Sequence, residues 1–205
     1  MAVNYWPTQP GRAAKQLNIT QLAHSVTISR ASGTLTFPAN FQLIAAMNPC
    51  PCGYWGDSTH NCSCSPAMVT RYQKRISGPL LDRFDIHMDV PRVDYEKLAS
   101  NRTGEASEAV RQRVFPAREK QLARLVGSTL TCNADIGPAH IREYCELDDT
   151  SKALMRSAMN QLGMSARAFH RVLKLARTIA DLAGAAEIQA AHLAEAIQYR
   201  PRRQT

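Results

Sequence analysis

Residues 41–66, FQLIAAMNPCPCGYWGDSTHNCSCSP, contain the pattern that decides the fold of the amino-terminal half. Phe41–Met47 is a continuous apolar run, which is typical of a strand buried in a parallel sheet. The run stops at Asn48, and four cysteines follow within the next sixteen residues. Ser65 then suits a helix N-cap, with a proline at the first helical position, so we expect a helix to about Ile76.

The flanking segments extend this pattern in both directions. Val26–Phe37 alternates apolar and polar residues around Gly33, which predicts a β-hairpin whose turn tolerates a positive φ. Phe84–Val90 also alternates and predicts another strand. Residues 1–24 have no clear period, so we expect a poorly ordered segment, with a short helix near Ala13–Ala23. The hairpin and strands predict a partial α/β core over residues 25–92.

The rest of the chain, residues 93–205, reads as entirely helical. Gly127, Gly137, Gly163 and Gly184 divide it into segments with helical periodicity. We place helices at Ser107–Leu125 (with a kink or break at Pro116), Pro138–Glu146, Thr150–Leu162, Ser165–Ala183 and Ala190–Tyr199. The predicted fold class is therefore α/β, a truncated α/β core with a hairpin and parallel strands, followed by an all-helical domain.

The fourth of these helices is strongly amphipathic. An apolar stripe predicts the face that packs into the core. The stripe consists of Phe169, Val172, Leu173, Ala176, Ile179 and Ala180. Arg167, Arg171 and Lys174 fall together on another face, with Arg177 nearby.

Composition and charge narrow the class of protein. The 205 residues are 44% hydrophobic and 20% charged, as in an ordinary globular protein. No apolar run is long enough to span a membrane, and the first residues lack a signal-peptide core. We therefore expect a cytoplasmic protein without membrane contact. The formal net charge of +8 favours a polyanionic partner, nucleic acid or nucleotide. Solvated basic helix faces are the alternative.

Four of the six cysteines form a compact motif. Cys50, Cys52, Cys62 and Cys64 are arranged as C-x-C, nine residues, and C-x-C. Four thiolates at this spacing can surround one Zn²⁺ tetrahedrally, with His60 as a spare ligand. Reduced cysteines without metal are the alternative. No water-activating residue is evident nearby, so the expected zinc is structural.

Other side chains have simpler interpretations. We expect Cys132 and Cys145 to be buried as small hydrophobic residues. His87 lies on the predicted strand and is interpreted as structural.

The motifs FQLIAAMNPCPCGYWGDSTHNCSCSP and RYQKRISGPLLDRFDIHMDVP resemble the YifB/ComM branch of Mg-chelatase-like AAA+ ATPases. The later stretch LGMSARAFHRVLKLARTIADLAG is similar to the helical lid of the same family. The resemblance covers roughly Val26 to Arg200. It implies a partial AAA+ core followed by a lid, assembled as a homo-oligomeric ring, a hexamer, that uses ATP and Mg²⁺. DNA is the partner that the ComM side of the family implies.

The resemblance also implies roles for individual residues. Asn48 corresponds to sensor 1, which would position water beside the γ-phosphate, and Arg83 to the arginine finger that acts on a neighbouring subunit's nucleotide. Arg167 corresponds to sensor 2, and Arg171, one turn further on, could take its place. The hairpin faces the pore in this class, which makes Arg30 a candidate DNA contact.

Each of these roles has a plainer alternative. Asn48 can simply end a strand, and Arg83 can pair with Asp82 or Asp85. Arg167 can belong to a solvated basic stripe. Arg30 can be an ordinary solvent-facing charge of the hairpin.

The sequence contains only some of the motifs that the ATPase activity of the family requires. No G-x-x-x-x-G-K-[ST] loop occurs, and no apolar strand ending in Asp-Glu precedes the hairpin. We therefore expect no ATP hydrolysis by this chain alone. The functions left open are a DNA motor for branch migration or a helicase, a Mg-chelatase-type ATPase subunit, and an inactive zinc fragment that binds partners.

Overall fold

The computed structural model describes residues 25–30, 33–39, 41–91, 93, 99 and 104–201. Its residues cluster into two units, the first ending at Arg83 and the second beginning at Phe84. The helix predicted within residues 13–23 lies outside the described residues. Within the described part of the chain, no helix is long and apolar enough to cross a membrane.

The first unit contains the predicted hairpin. Strands β1 (Ser25–Arg30) and β2 (Gly33–Pro38) pair antiparallel, with Ser25 opposite Pro38 and Arg30 opposite Gly33. Gly33 has a φ of +143°, so the predicted positive φ at the turn is confirmed. Cross-strand hydroxyl pairs, such as Thr27 with Thr36 at 2.9 Å between the Oγ1 atoms, add to the backbone ladder.

Two short helices follow in the same unit. Helix α1 (Pro66–Gln73) begins at Ser65, whose hydroxyl accepts a hydrogen bond from the Met68 amide at 3.3 Å. The predicted N-cap and first-turn proline are thereby confirmed, although the helix ends three residues before Ile76. Helix α2 covers Gly78–Leu81.

The two other predicted strands are wrong for this chain. Phe41–Met47 has no regular secondary structure, and Ile44 is 72% exposed. Phe84–Val90 is likewise irregular, with Val90 86% exposed. A strand needs a neighbour that accepts and donates its backbone hydrogen bonds, and among the described residues the only sheet is the two-stranded hairpin. An apolar run without such a neighbour therefore stays irregular.

The second unit is helical, as predicted. Five helices lie within a few residues of their predicted bounds, and α3 runs through Pro116 without a break. A 3₁₀ turn at Asn133–Asp135 precedes α4. The helices are α3 (Ser107–Arg124), α4 (Pro138–Tyr144), α5 (Asp149–Leu162), α6 (Ala166–Leu182) and α7 (Ala190–Gln198). Gly163 ends α5 in the left-handed conformation at φ +56°.

Helix α6 is the centre of this unit. The predicted stripe is buried except for Phe169, which is half-buried and packs against the core. Leu193 and Ala196 of α7 are fully buried against the same cluster. Burying one such leucine contributes roughly 1.5–3 kcal/mol, so the α6 stripe accounts for much of the unit's stability.

A buried carboxylate lies beside this apolar core. The Asp181 side chain is completely buried and accepts hydrogen bonds from Arg124, Asn133 and Arg177. Arg177 also donates to the carbonyls of Ala185 and Ala186, at 3.0 and 2.9 Å. Burial alone would raise the pKa of Asp181, but these hydrogen bonds and the charge of Arg177 hold it below its ordinary value. The network ties α3 and the 3₁₀ turn to α6.

We expect Asp181→Asn to lower the free energy of unfolding by about 3–5 kcal/mol, because it leaves Arg177 buried without its counter-charge. Urea denaturation of the wild-type and variant chains measures the change. Asp149→Asn is the matched control, since Asp149 is fully exposed where it pairs with Lys152 and an exposed pair contributes little to stability.

The same carboxylate gives stability a defined pH dependence. Its pKa is lowered on folding, so its contribution is complete above the unfolded-state pKa and is lost as the pH falls towards the folded-state pKa. Asp181→Asn should therefore flatten the acid side of the stability profile. Equal destabilisation by the Asp181 and Asp149 variants would contradict this account of the network.

Candidate metal centre and nucleotide-sensing residues

The structure brings the four cysteines of the C-x-C motifs together. The Sγ atoms of Cys50, Cys52 and Cys62 lie 3.3, 3.7 and 3.4 Å apart, and Cys64 completes a group whose sulfurs are all within 4.8 Å of one another. Tetrahedral zinc with Zn–S bonds of about 2.3 Å would place its sulfurs about 3.8 Å apart. The group could therefore hold one metal ion.

Local hydrogen bonds fold the loop that carries these thiols. The Gly53 amide donates to the Cys50 carbonyl at 3.1 Å, and Gly53 has a φ of +86°, which favours glycine there. Between the two C-x-C pairs, the Asp57 carboxylate accepts from the amides of Thr59 and His60 and from the Thr59 hydroxyl. The two pairs are thus turned towards each other by their own loop.

The loop is also attached to helix α1. The Gln73 side chain donates to the Pro49 carbonyl at 3.1 Å, next to the first cysteine. The Cys64 amide donates to the Cys62 sulfur at 3.4 Å, immediately before the N-cap. Both ends of the loop are therefore held by residues of, or next to, one helix.

The thiols differ in acidity because they share one site. A hydrogen bond from the Tyr54 backbone lowers the pKa of Cys52 to about 5, and the Cys50 and Cys62 thiols add to this against the opposing effect of burial. The Cys64 amide favours the Cys62 thiolate, but burial and the neighbouring sulfurs outweigh it and raise its pKa to about 12. Several thiolates at this separation repel one another unless a cation lies between them. The donor set therefore fits a thiophilic divalent ion.

The remaining candidates of the cysteine analysis lie outside this group. The group consists of the four cysteines without His60, whose ring stacks on Tyr54 at 5.0 Å. Cys145 is buried, as predicted, and burial raises its pKa to about 11. Cys132 is only half-buried, and its thiol donates to Asp135 at 3.4 Å.

The basic face of α6 separates into paired and unpaired cations. Arg171 forms an ion pair with Asp85, the Lys174 ammonium donates to the Ala134 carbonyl at 2.6 Å, and Arg177 belongs to the buried network. Arg167 is exposed in the first turn, and its guanidinium has no hydrogen bond or ion pair among the described residues. Of the two predicted sensor-2 candidates, only Arg167 is available to an external anion.

The other predicted site residues have the following positions. Asn48 is exposed in the irregular segment before the cysteine loop. Arg83 is half-buried after α2 and donates to the Pro79 carbonyl at 2.8 Å. Arg30 ends β1 opposite Gly33. These placements neither assign nor remove the roles that the sequence predicts for them.

The segment that follows Arg83 is fastened to the helical unit. Besides the ion pair of Asp85, the Phe84 carbonyl accepts from Arg200 at 2.9 Å, and the His87 amide donates to the Tyr199 carbonyl at 2.9 Å. Sequence reasoning missed these contacts because they join residues more than 80 positions apart. The contacts of His87 are its backbone hydrogen bond and the edge contact of its ring with Phe84, which agree with the structural interpretation of this residue.

The chain matches two models of one protein family in succession. Residues 20–98 match the model described as magnesium chelatase, subunit ChlI, and residues 104–200 match the model of its C-terminal part. The chain therefore belongs to the Mg-chelatase-like family.

Within this family it is similar to two curated proteins. It is 45% identical over 176 residues to the competence protein ComM of Haemophilus influenzae. It is 40% identical over 176 residues to the protein YifB of Escherichia coli. Each alignment covers 85% of this chain but only 33% or 34% of the relative, so the chain spans about a third of their length.

We expect Asp57 to remain ionised at pH 3, because its hydrogen bonds from Thr59 and His60 lower its pKa from 3.8 to about 2. The carboxyl carbon chemical shift in an NMR pH titration measures this. Thr59→Val should raise the pKa towards its ordinary value by removing the hydroxyl donor, whereas Thr59→Ser should keep it low. A wild-type midpoint near 3.8 would show that the loop lacks these hydrogen bonds.

Proposed function

We propose that residues 25–201 are the sensor, arginine-finger and lid part of a Mg-chelatase-like AAA+ ATPase that works on DNA as a hexameric ring. Family membership over both halves of the chain supports the ATPase class. The observation that carries the proposal is the exposure of Arg167 without a protein partner. Arg167 lies in the first turn of α6, where the helix dipole and the first amides, which have no partner within the helix, favour an anion; the Ser165 cap engages only the Ala168 amide among them.

The two predicted sensors and the predicted arginine finger would contact two different nucleotides. Arg167 and Asn48 would face the nucleotide of their own subunit, with the amide of Asn48 able to donate and accept at the attacking water. Arg83 would reach the nucleotide of the neighbouring subunit and neutralise charge that develops on the transferring phosphoryl group. Bound Mg²⁺ would supply charge neutralisation between the phosphates. Because Arg171 is already paired with Asp85, Arg167 is the residue that we assign as sensor 2.

The cysteine cluster would hold a structural zinc. Sulfur separations of 3.3–3.7 Å among three of the thiols are close to those of a tetrahedral site. Four cysteine ligands would fill all four tetrahedral positions, so no position would remain open for a water molecule to be activated. Zinc would hold the two C-x-C pairs together and so fix the loop ahead of α1.

DNA is the proposed substrate of the motor. The chain carries a net charge of +8, which suits a polyanion, and the relative ComM is named a competence protein. A Mg-chelatase-type role is the other ATPase candidate, because the matching family models are described by the chelatase subunit ChlI. The curated relatives that the chain matches include ComM and YifB, and they support the DNA role more than the chelatase role. A zinc-binding module that only binds partners is the second candidate, favoured by the four sulfurs that lie within 4.8 Å of one another.

Grafting tests the ATPase role. Residues 25–201 would replace the corresponding segment of Haemophilus influenzae ComM, and ATP turnover of the chimera would be measured with and without DNA. We expect turnover by the chimera and none by the isolated chain. Arg83→Ala should lower the rate about 10³-fold as an arginine finger, and Arg167→Ala should weaken ATP binding.

Arg156→Ala is the control for this experiment, since Arg156 is an exposed cation of α5 outside the proposed site. Turnover by the isolated chain would refute the proposal that its nucleotide site is incomplete. An active chimera that is insensitive to Arg83→Ala and Arg167→Ala would refute the assigned roles.

Elemental analysis of the purified chain tests the zinc site. We expect about one zinc per chain, lost on Cys62→Ser and retained on Cys132→Ser, because only the first removes a ligand. Zinc affinity should fall as the pH is lowered, since the thiols must release protons to bind the ion. A zinc content well below one per chain, or full retention by Cys62→Ser, would contradict this assignment.

A further inference from the structure

Helix α1 and the turn that follows it present three cations to one surface concavity. Arg71 lies in the last turn of α1, Lys74 is the C-cap residue, and Arg75 follows it. All three are exposed. Together with Ala67 and Thr70 they line an open surface concavity of about 450 Å³. We call this surface the α1 basic face.

Among the residues that the structure describes, no carboxylate pairs with the cations of this face. Residues 25–83 contain five arginines and lysines but only two acidic residues, Asp57 and Asp82. Asp57 is engaged by its own loop. The ion pairs of the described residues include none of the three cations. Within the described part of the chain, the Arg75 guanidinium lies 5.9 Å from the centre of the Tyr72 ring.

A purely local role does not account for this arrangement. A cation in the last turn of a helix, such as Arg71, stabilises the helix through its dipole. That effect does not require three cations to line a shared concavity.

We propose that the α1 basic face binds the phosphodiester backbone of single-stranded DNA. The inference rests on the proposed function and supplies it with a contact surface distinct from Arg30 of the hairpin. Three closely spaced cations without base-reading amides suit phosphate contact rather than sequence recognition. The same unit exposes Tyr54 and Trp55, which are the kind of aromatic side chains on which unpaired bases stack.

The test compares two variants that each remove three charges. R71Q/K74Q/R75Q removes the α1 basic face. R111Q/R113Q/K152Q is the matched control, because each of its cations is already paired with a carboxylate. Binding of the zinc-loaded chain to a fluorescent oligothymidylate would be measured by anisotropy over a range of salt concentrations, with the duplex form as a second arm. Circular dichroism and zinc content would verify that both variants fold.

We expect the face variant to bind the single strand at least about tenfold more weakly, and its salt slope to fall by about 2, at roughly 0.7 per phosphate contact. The control should lose little affinity. Equal losses in both variants, or none in the face variant, would overturn this inference and leave the proposed DNA function standing. Tighter binding to the duplex would overturn the single-strand assignment. No binding by the wild-type chain would overturn both proposals.

A second readout does not depend on the folding of a variant. In the wild-type chain, oligothymidylate should slow acetylation of Lys74 relative to that of Lys152, which lies on α5 in the other unit. Equal acetylation of the two lysines with and without the oligonucleotide would overturn the proposal.

Discussion

The buried carboxylate of Asp181 is the constraint on which the helical unit depends. A charge without solvent access is tolerated only when its partners surround it, and here Arg124, Asn133 and Arg177 do so. The need to surround Asp181 with these partners fixes the rotation of α6. Arg177, the last arginine of that helix, therefore has a structural role. Lys174 and Arg171 are also engaged, by Ala134 and Asp85. Because the other three cations of α6 have these structural contacts, Arg167 is the cation of the helix that is available to an external anion.

A different constraint organises the amino-terminal unit. Its described part has a two-stranded sheet and two short helices, which bury little apolar surface. Cys50 is fully buried, and Val69 and Leu80 are the other well-buried apolar residues there. Small cores of this kind are commonly completed by a metal. Under the zinc proposal, the four sulfurs would complete this small core as well as hold the ion.

The features that could be predicted from the sequence are those that depend on interactions between residues close in the chain. The hairpin around Gly33, the Ser65 N-cap and the helices from Ser107 onwards follow from turn chemistry, capping and apolar periodicity. The strands at Phe41–Met47 and Phe84–Val90 were wrong because a strand also needs a pairing neighbour, which periodicity does not supply. The partners of Asp181 and Asp85 could not be predicted, since contacts between distant residues leave no local pattern. Cysteine spacing predicted the sulfur cluster but not the exclusion of His60.

The most direct test of the central claim is whether nucleotide reaches Arg167. In the chimera with the Haemophilus influenzae relative, phenylglyoxal modification of arginines would be mapped by mass spectrometry with and without a non-hydrolysable ATP analogue and Mg²⁺. The account predicts that the analogue protects Arg167 strongly and leaves Arg156, an exposed arginine of the same helical unit, unchanged. Equal modification of Arg167 in the presence and absence of the analogue would contradict it.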